Sequence, residues 1–194
     1  MNVVLENLID RSQSAFVPRR QISDKTILSH ELVKGYSKKG IPARCILKVD
    51  LQKPYDSIEC VYLEQVLVQL PFPDLLIKWT MISLTSLSYS INLNSYPTSP
   101  FAAKRGLRQG DPMSHYLFII AMEYLNRLLK TLHSDGSFHF HPRCAKLKMI
   151  QLSFADDLLL FSKGDVFSVQ DLSTSLEMLY LFWWGEAICT GSDT

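Results

Sequence analysis

The feature that most restricts this chain is the run from Ile150 to Phe161, where two neighbouring aspartates interrupt two apolar segments. Before them, Ile150, Leu152 and Phe154 alternate with Gln151 and Ser153, the pattern of a strand with one wet face. After them, Leu158 to Phe161 is continuously apolar, as in a strand covered on both faces. Phe154-Ala155-Asp156-Asp157 therefore reads as a tight hairpin with two carboxylates at its tip, because Asp tolerates turn geometry. Adjacent like charges repel, and a turn has no need of both. A bound cation relieves that repulsion, and hard cations such as Mg²⁺ take carboxylate oxygens. A solvated turn is the simpler alternative, and the pair alone leaves both open.

With 194 residues, 47% hydrophobic and 20% charged, the chain is globular rather than disordered and long enough for one domain or slightly more. The net charge of +1 announces no polyanionic partner. Local clusters carry that question instead: Arg19-Arg20, Lys38-Lys39, Lys104-Arg105 with Arg108, and Lys146 with Lys148. Each also fits a solvated face. Cys45, Cys60, Cys144 and Cys189 have no paired spacing, which points to a reducing compartment without a disulfide framework. His139, His141 and Cys144 match no common zinc spacing. The N-terminus lacks the apolar core of a signal peptide, and no stretch has the apolar length of a membrane span, so an intracellular location is expected.

In chain order, Phe16 to Arg20 reads as an extended connector carrying two cations, and Gln21 to Lys39 as a helix stopped by Gly40 and Pro42. Arg44 to Leu51 is a strand ending at Asp50, and an acid there is costly unless paired or bound to metal. Asp56-Ser57-Ile58-Glu59 has capping-box spacing, which makes Asp56 the N-cap of a helix to about Leu70. Asp74 to Leu87 forms another helix. Ser88 to Leu93 and Ser99 to Ala103 suit a hairpin. The loop Arg105 to Pro112 holds Gly106 and Gly110, which permit close backbone approach to a ligand. It also holds Gln109, which offers a donor and an acceptor, and two arginines suited to phosphate. Asp111 and Pro112 then open a helix to about Leu132, with Leu117, Ile120, Ala121, Tyr124 and Leu128 on one face. Val169 to Phe182 is helical.

Three blocks together resemble the reverse transcriptases of LINE-like (non-LTR) retrotransposons. They are Leu47-Lys48-Val49-Asp50-Leu51-Gln52-Lys53-Pro54-Tyr55-Asp56, then Arg105-Gly106-Leu107-Arg108-Gln109-Gly110-Asp111-Pro112-Met113-Ser114, then Phe154-Ala155-Asp156-Asp157. Gln13 to Pro18 and Arg20 to Asp24 resemble the segment that precedes the palm in those elements. The resemblance implies an α+β fold: a polymerase palm with a small antiparallel sheet and helices on one face, partial fingers and no thumb. It implies a fingers-proximal segment at residues 1–42, the palm at 43–170 and a divergent tail at 171–194.

The resemblance further implies an RNA-directed DNA polymerase that transfers nucleotides to a primer 3′-hydroxyl with two Mg²⁺ ions, or Mn²⁺. The alternative is a catalytically inactive nucleic-acid-binding remnant. Asp50, Asp156, Asp157 and the Leu51 carbonyl would hold the metals, with Asp156 the nearer of the hairpin pair. Tyr55 would lie under the incoming sugar. Gln109 and Gly110 would meet the nascent base pair and template. Arg20, Arg105 and Arg108 would touch nucleic-acid backbone. RNA template, DNA primer and deoxynucleoside triphosphates are the implied partners, and no membrane. The chain departs from the family at Pro54 (usually Ala), His115 (usually Pro) and Arg19 (usually Gly). It also lacks the family's upstream finger strands and thumb, as expected of a copy truncated at both ends.

Overall fold

The structure, a computed structural model, describes residues 2–34, 36, 40, 42–103 and 105–183, with side chains from Leu5 onward. Lys38-Lys39, Lys104, Cys189 and the tail from Trp184 lie outside the described residues. Two compact units share the chain: residues 1–52 with 122–179, and residues 53–121 with 180–194. Among the described residues no helix is long and apolar enough to cross a membrane.

The first unit is built on a three-stranded antiparallel sheet in the order β1 (Arg44–Asp50), β7 (Asp157–Lys163), β6 (Gln151–Phe154). The continuously apolar strand is the central one, and Leu158, Leu160 and Phe161 are fully buried. β6 keeps its expected alternation, but its polar face is not wet: Gln151 and Ser153 are 6% and 5% exposed. The cause lies on both sides of the strand. Ser14 N–H donates to the Ser153 carbonyl and Ser153 N–H to the Ser12 carbonyl, so the N-terminal segment runs along the sheet edge. That pairing uses backbone groups an edge strand would otherwise leave open. The Gln151 amide donates to Asn126 Oδ1 at 2.9 Å and to Ser12 Oγ at 3.0 Å.

Helix α1 (Asn2–Leu8) precedes α2 (Ile22–Val33), which is shorter than the expected Gln21–Lys39 because Lys34 takes an extended ψ of 129°. Leu32 of α2 packs with Leu152, Phe161 and Cys144, flanked by Leu28, Ile46, Met149 and Leu159. The connector before α2 is a pair of tight turns rather than an extended run, with Phe16 at φ 57° and Arg19 at φ 62°. Both angles are left-handed, where glycine fits best, so the family's usual Gly at the Arg19 position has a conformational reason.

Helices α6 (Ser114–Thr131) and α7 (Val166–Trp183) divide between the units at Ala121/Met122 and Leu179/Tyr180. The expected apolar stripe of α6 is narrower than its real burial, since every residue from Leu117 to Glu123 is buried.

The second unit begins with α3 (Pro54–Ser57), α4 (Cys60–Val68) and α5 (Asp74–Thr85). Tyr62 is fully buried, donates its hydroxyl to the Ala121 carbonyl at 2.7 Å and stacks on Trp183 with centroids 6.5 Å apart. The capping-box expectation for Asp56 fails. Asp56 lies inside α3, Ile58 is extended and 1% exposed, and a new helix starts at Cys60 with Glu59 as its cap and no side-chain cap bond. Burying Ile58 breaks what the spacing read as one helix. Pro54 occupies the first turn of α3, where a missing N–H costs nothing. The expected strand Ser88–Leu93 splits: β2 (Ser88–Tyr89) pairs with β5 (Phe101–Ala102), and β3 (Asn92–Leu93) with β4 (Tyr96–Pro97) around Asn94 and Ser95 at φ 51° and 70°. Between the two pairs, Ile91 N–H donates to Thr98 Oγ1 instead of a ladder carbonyl. Asp111 is not the N-cap expected; its carboxylate accepts Met113 N–H at 2.8 Å in a turn ahead of α6.

Candidate functional site

The sheet register brings two of the three predicted carboxylates together. Asp50 is the direct cross-strand partner of Asp157, and Phe154 pairs with Asp157 to close a two-residue loop of Ala155 and Asp156. Ala155 sits at φ 51° to make that turn. Cross-strand partners share a face of the sheet, as do residues two apart. Ile46, Lys48 and Asp50 of β1 thus lie on one face with Asp157, Leu159 and Phe161 of β7. Apolar packing with α2 covers the Ile46–Phe161 end of that face. At its other end Asp50, Asp157 and Lys48 are exposed. Lys48 Nζ stands 3.5 Å from Asp157 Oδ1, with both side chains more than half exposed.

Like charges directly opposite each other destabilise a strand pair. One exposed lysine offsets little of that, since exposed ion pairs are worth about 0–1 kcal/mol. The donor set, carboxylates at the open end of a rigid strand pair, therefore suits a hard divalent cation. Asp156 is half-buried in the loop, with no cross-strand partner, and Leu51 follows β1 directly. The sequence favoured Asp156 as the carboxylate nearer the metal; the register sets Asp157 across from Asp50. Among the described residues, no three His, Cys, Asp or Glu side chains stand grouped to hold an ion.

In the second unit, the loop after residue 104 is stitched to the start of α3. Gly106 N–H donates to the Ile58 carbonyl at 2.8 Å, Leu107 N–H to the Tyr55 carbonyl at 2.7 Å, and Arg105 bridges Glu59. Gly106 is needed for two reasons: its φ is 94°, and a Cβ there would meet the Asp56 carbonyl oxygen at 3.2 Å. Gly110 has φ 90° with open space around it. Arg105, Arg108, Gln109 and Gly110 are all exposed. Tyr55 is half-buried, stacks on Phe118 with centroids 4.7 Å apart, and has its hydroxyl 3.3 Å from His115 Nδ1.

Arg20 has another task from the one the sequence suggested. Its guanidinium donates to four main-chain carbonyls of its own unit: Asp10, Gln13 at 2.6 Å, Ile9 at 2.7 Å and Glu6 at 3.2 Å. Those include the Glu6 carbonyl in the last turn of α1 and the Ile9 and Asp10 carbonyls just after it, where a cation is favourable. Arg20 holds the N-terminal segment against itself, and its donors point inward rather than toward a ligand.

Two features escaped the sequence. Lys48 faces Asp157, which its spacing from Asp50 could have signalled. Glu123, buried on α6, accepts Asp10 N–H at 3.1 Å and the Asn126 amide at 3.0 Å on one carboxylate oxygen. Burial pushes its carboxyl above the ordinary range. Its Asn126 and Arg127 partners lie three and four residues on along α6, but the Asp10 N–H that it also accepts comes from far along the chain. Of the scattered His and Cys that the structure describes, Cys144 is fully buried, which pushes its thiol up to about 11, its Sγ lies 3.6 Å from His141 Nδ1, and His139 pairs with Asp165.

The family model described as "Reverse transcriptase (RNA-dependent DNA polymerase)" matches residues 1–180. The chain belongs to that reverse transcriptase family. Similar sequences include proteins of transposable elements. It is 29% identical over 161 residues to the transposon TX1 uncharacterized 149 kDa protein of Xenopus laevis, covering 82% of this chain and 12% of that protein. It is 27% identical over 154 residues to the Pol polyprotein of the type-2 retrotransposable element R2DM of Drosophila melanogaster, covering 79% of this chain and 14% of that protein. The chain thus spans about an eighth of the length of these relatives. Among solved structures, telomerase from Candida tropicalis in complex with a TWJ fragment of telomeric RNA is similar at a TM-score of 0.60 and 13% identity, over 89% of this chain and 28% of that one. That likeness concerns the fold.

Proposed function

We propose that this chain supplies the palm of an RNA-directed DNA polymerase, residues 43–170, and joins a deoxynucleotide to a primer 3′-hydroxyl on an RNA template. The observation that carries this is the register of Asp50 against Asp157 at the exposed end of the sheet. In the first unit, Asp50, Asp157, Asp156 and the Leu51 carbonyl would hold divalent ions, Mg²⁺ or Mn²⁺. When bound, such ions stabilise charge on the attacking and leaving oxygens of phosphoryl transfer and lower the pKa of the attacking hydroxyl. The chain's part is to hold oxygen ligands on a strand pair whose far end is locked by the α2 packing, so that the carboxylates keep their spacing without a ligand.

In the second unit, Tyr55 lies under the incoming sugar, and Gln109 and Gly110 meet the nascent base pair and template. Arg105 and Arg108 meet phosphates. The exposure of all four loop residues fits that role, as does the open space around Gly110.

Primer extension on an RNA template with Mg²⁺, comparing the chain with Asp157→Asn and Asp50→Asn, tests this. Loss of incorporation in both variants supports it, and equal incorporation by all three proteins removes it. A non-catalytic nucleic-acid binder is the second reading, and the Lys48–Asp157 pair favours it by placing a cation beside a would-be ligand. On that reading, binding to an RNA–DNA hybrid weakens steeply with salt and ignores Mg²⁺.

A further inference from the structure

We propose that His115, through its contact with Tyr55, is the positioning residue that sets this chain's discrimination between deoxyribo- and ribonucleotides. The inference rests on the reading of Tyr55 as the residue beneath the incoming sugar. The structure immobilises Tyr55 at every level. Its main chain is fixed by Pro54 in the first turn of α3 and by Leu107 N–H on its carbonyl. Its ring face is fixed by Phe118, stacked at 4.7 Å with 22° between planes. Phe118 is itself fully buried, so it cannot follow if the ring tilts. His115 restrains rocking of the phenol about that stacked face. The imidazole meets the ring edge-on at 6.0 Å and 88°, with Nδ1 3.3 Å from the hydroxyl.

His115 and Phe118 are three residues apart in the first turn of α6, so both project from one side of the helix. One helical turn thereby holds a ring by its face and by its polar tip. A ring that meets a sugar discriminates by where its edge stops. A displacement well under the size of a hydroxyl group decides whether an extra oxygen fits. Proline, usual in the family at this position, has no polar side-chain atom with which to make this contact. That contact makes His115 a determinant of selectivity without any contact of its own to the sugar.

Proline is tolerated in the first turn of a helix, so His115→Pro removes the imidazole at little cost to the fold. The experiment measures the ratio of equilibrium affinities of the full chain for a deoxyribonucleoside and the matching ribonucleoside triphosphate, with Mg²⁺ and an RNA–DNA primer–template. It uses wild type, His115→Pro, His115→Asn, Tyr55→Phe and the double variant Tyr55→Phe/His115→Pro. A loss of preference of about three- to tenfold is expected in His115→Pro, the effect of one lost hydrogen bond. Partial recovery is expected in His115→Asn, which keeps a polar group. No further change is expected when His115→Pro is added to Tyr55→Phe. An unchanged ratio in His115→Pro, or an equal drop in the Tyr55→Phe background, overturns the proposal. The NMR signals of the His115 ring, compared between wild type and Tyr55→Phe, check the contact without nucleotide. If those signals shift but the wild type prefers neither nucleotide, the sugar-site reading of Tyr55 fails and this inference falls with it. If the preference exists and His115→Pro leaves it intact, only the inference fails.

Discussion

Glu123 and the Asp50–Asp157 pair are acids of the same unit treated in opposite ways. Glu123 is 5% exposed, and one of its oxygens accepts a main-chain N–H and a side-chain amide. It joins the Asn126, Gln151 and Ser12 hydrogen bonds that tie α6 to β6 and the N-terminal segment. Asp50 and Asp157 are exposed and face each other, and Lys48 pairs with Asp157 at 3.5 Å. Buried polar groups persist when they are satisfied, because an unmade bond inside costs more than a made one gains. An exposed pair of like charges has no such structural excuse. The contrast separates an acid bonded into the fold from acids left exposed at the end of a strand pair.

That contrast can be broken by substitution. Asp157→Asn should lower primer extension by about 100-fold or more, the scale of losing one electrostatic contact in a transition state. Its melting temperature should hold or rise, since a like-charge opposition is removed; a large fall in melting temperature would make Asp157 structural. Glu123→Ala should do the reverse, costing about 3 kcal/mol in urea unfolding by leaving two buried donors without an acceptor and opening a cavity. Nucleotide incorporation per folded molecule should be unchanged. Arg20→Ala should cost about 2 kcal/mol, because four carbonyls lose a charged donor. The salt slope of nucleic-acid binding should be the same as for wild type; a shallower slope would return Arg20 to the ligand-contacting set.

The pH dependence of stability sharpens the contrast further. Burial raises the folded-state pKa of Glu123 above its ordinary value of 4.5, so the folded chain holds that proton more tightly than the unfolded one. This contribution is complete below the ordinary value and disappears as pH rises through the raised one. Thermal melts of wild type should therefore lose stability relative to Glu123→Gln as pH increases above about 4.5. Parallel curves would show the carboxyl to be unshifted. The smallest effect belongs to Lys48→Gln, which removes an exposed ion pair and should change stability by under about 1 kcal/mol. It should tighten Mg²⁺ or Mn²⁺ binding if that lysine competes with a cation for Asp157.

Much of the site was readable before the fold was seen. A strand ending in Asp50, an apolar central strand and a hairpin carrying Asp156 and Asp157 follow from period-two patterning and turn chemistry, both local. The loop at residues 105–110 was legible as a glycine loop, but the close approach at Gly106 is to the Asp56 main chain and not to a ligand. Arg20, Asp56 and the polar side of β6 read differently in the structure because packing, and not local pattern, decides each of them. Arg20 is claimed by carbonyls before it, Asp56 loses its cap when Ile58 goes into the core, and Gln151 finds Asn126 rather than water.

The residues themselves determined which stretches would be strands or turns and which carried spare carboxylates, because those properties come from side-chain period and backbone preference over a few residues. Tertiary structure alone decided that Asp157 stands opposite Asp50, that His115 touches Tyr55, and that Glu123 is inside. Register, burial and cross-element hydrogen bonds depend on how distant segments pack, and nothing within a short window of sequence encodes that packing.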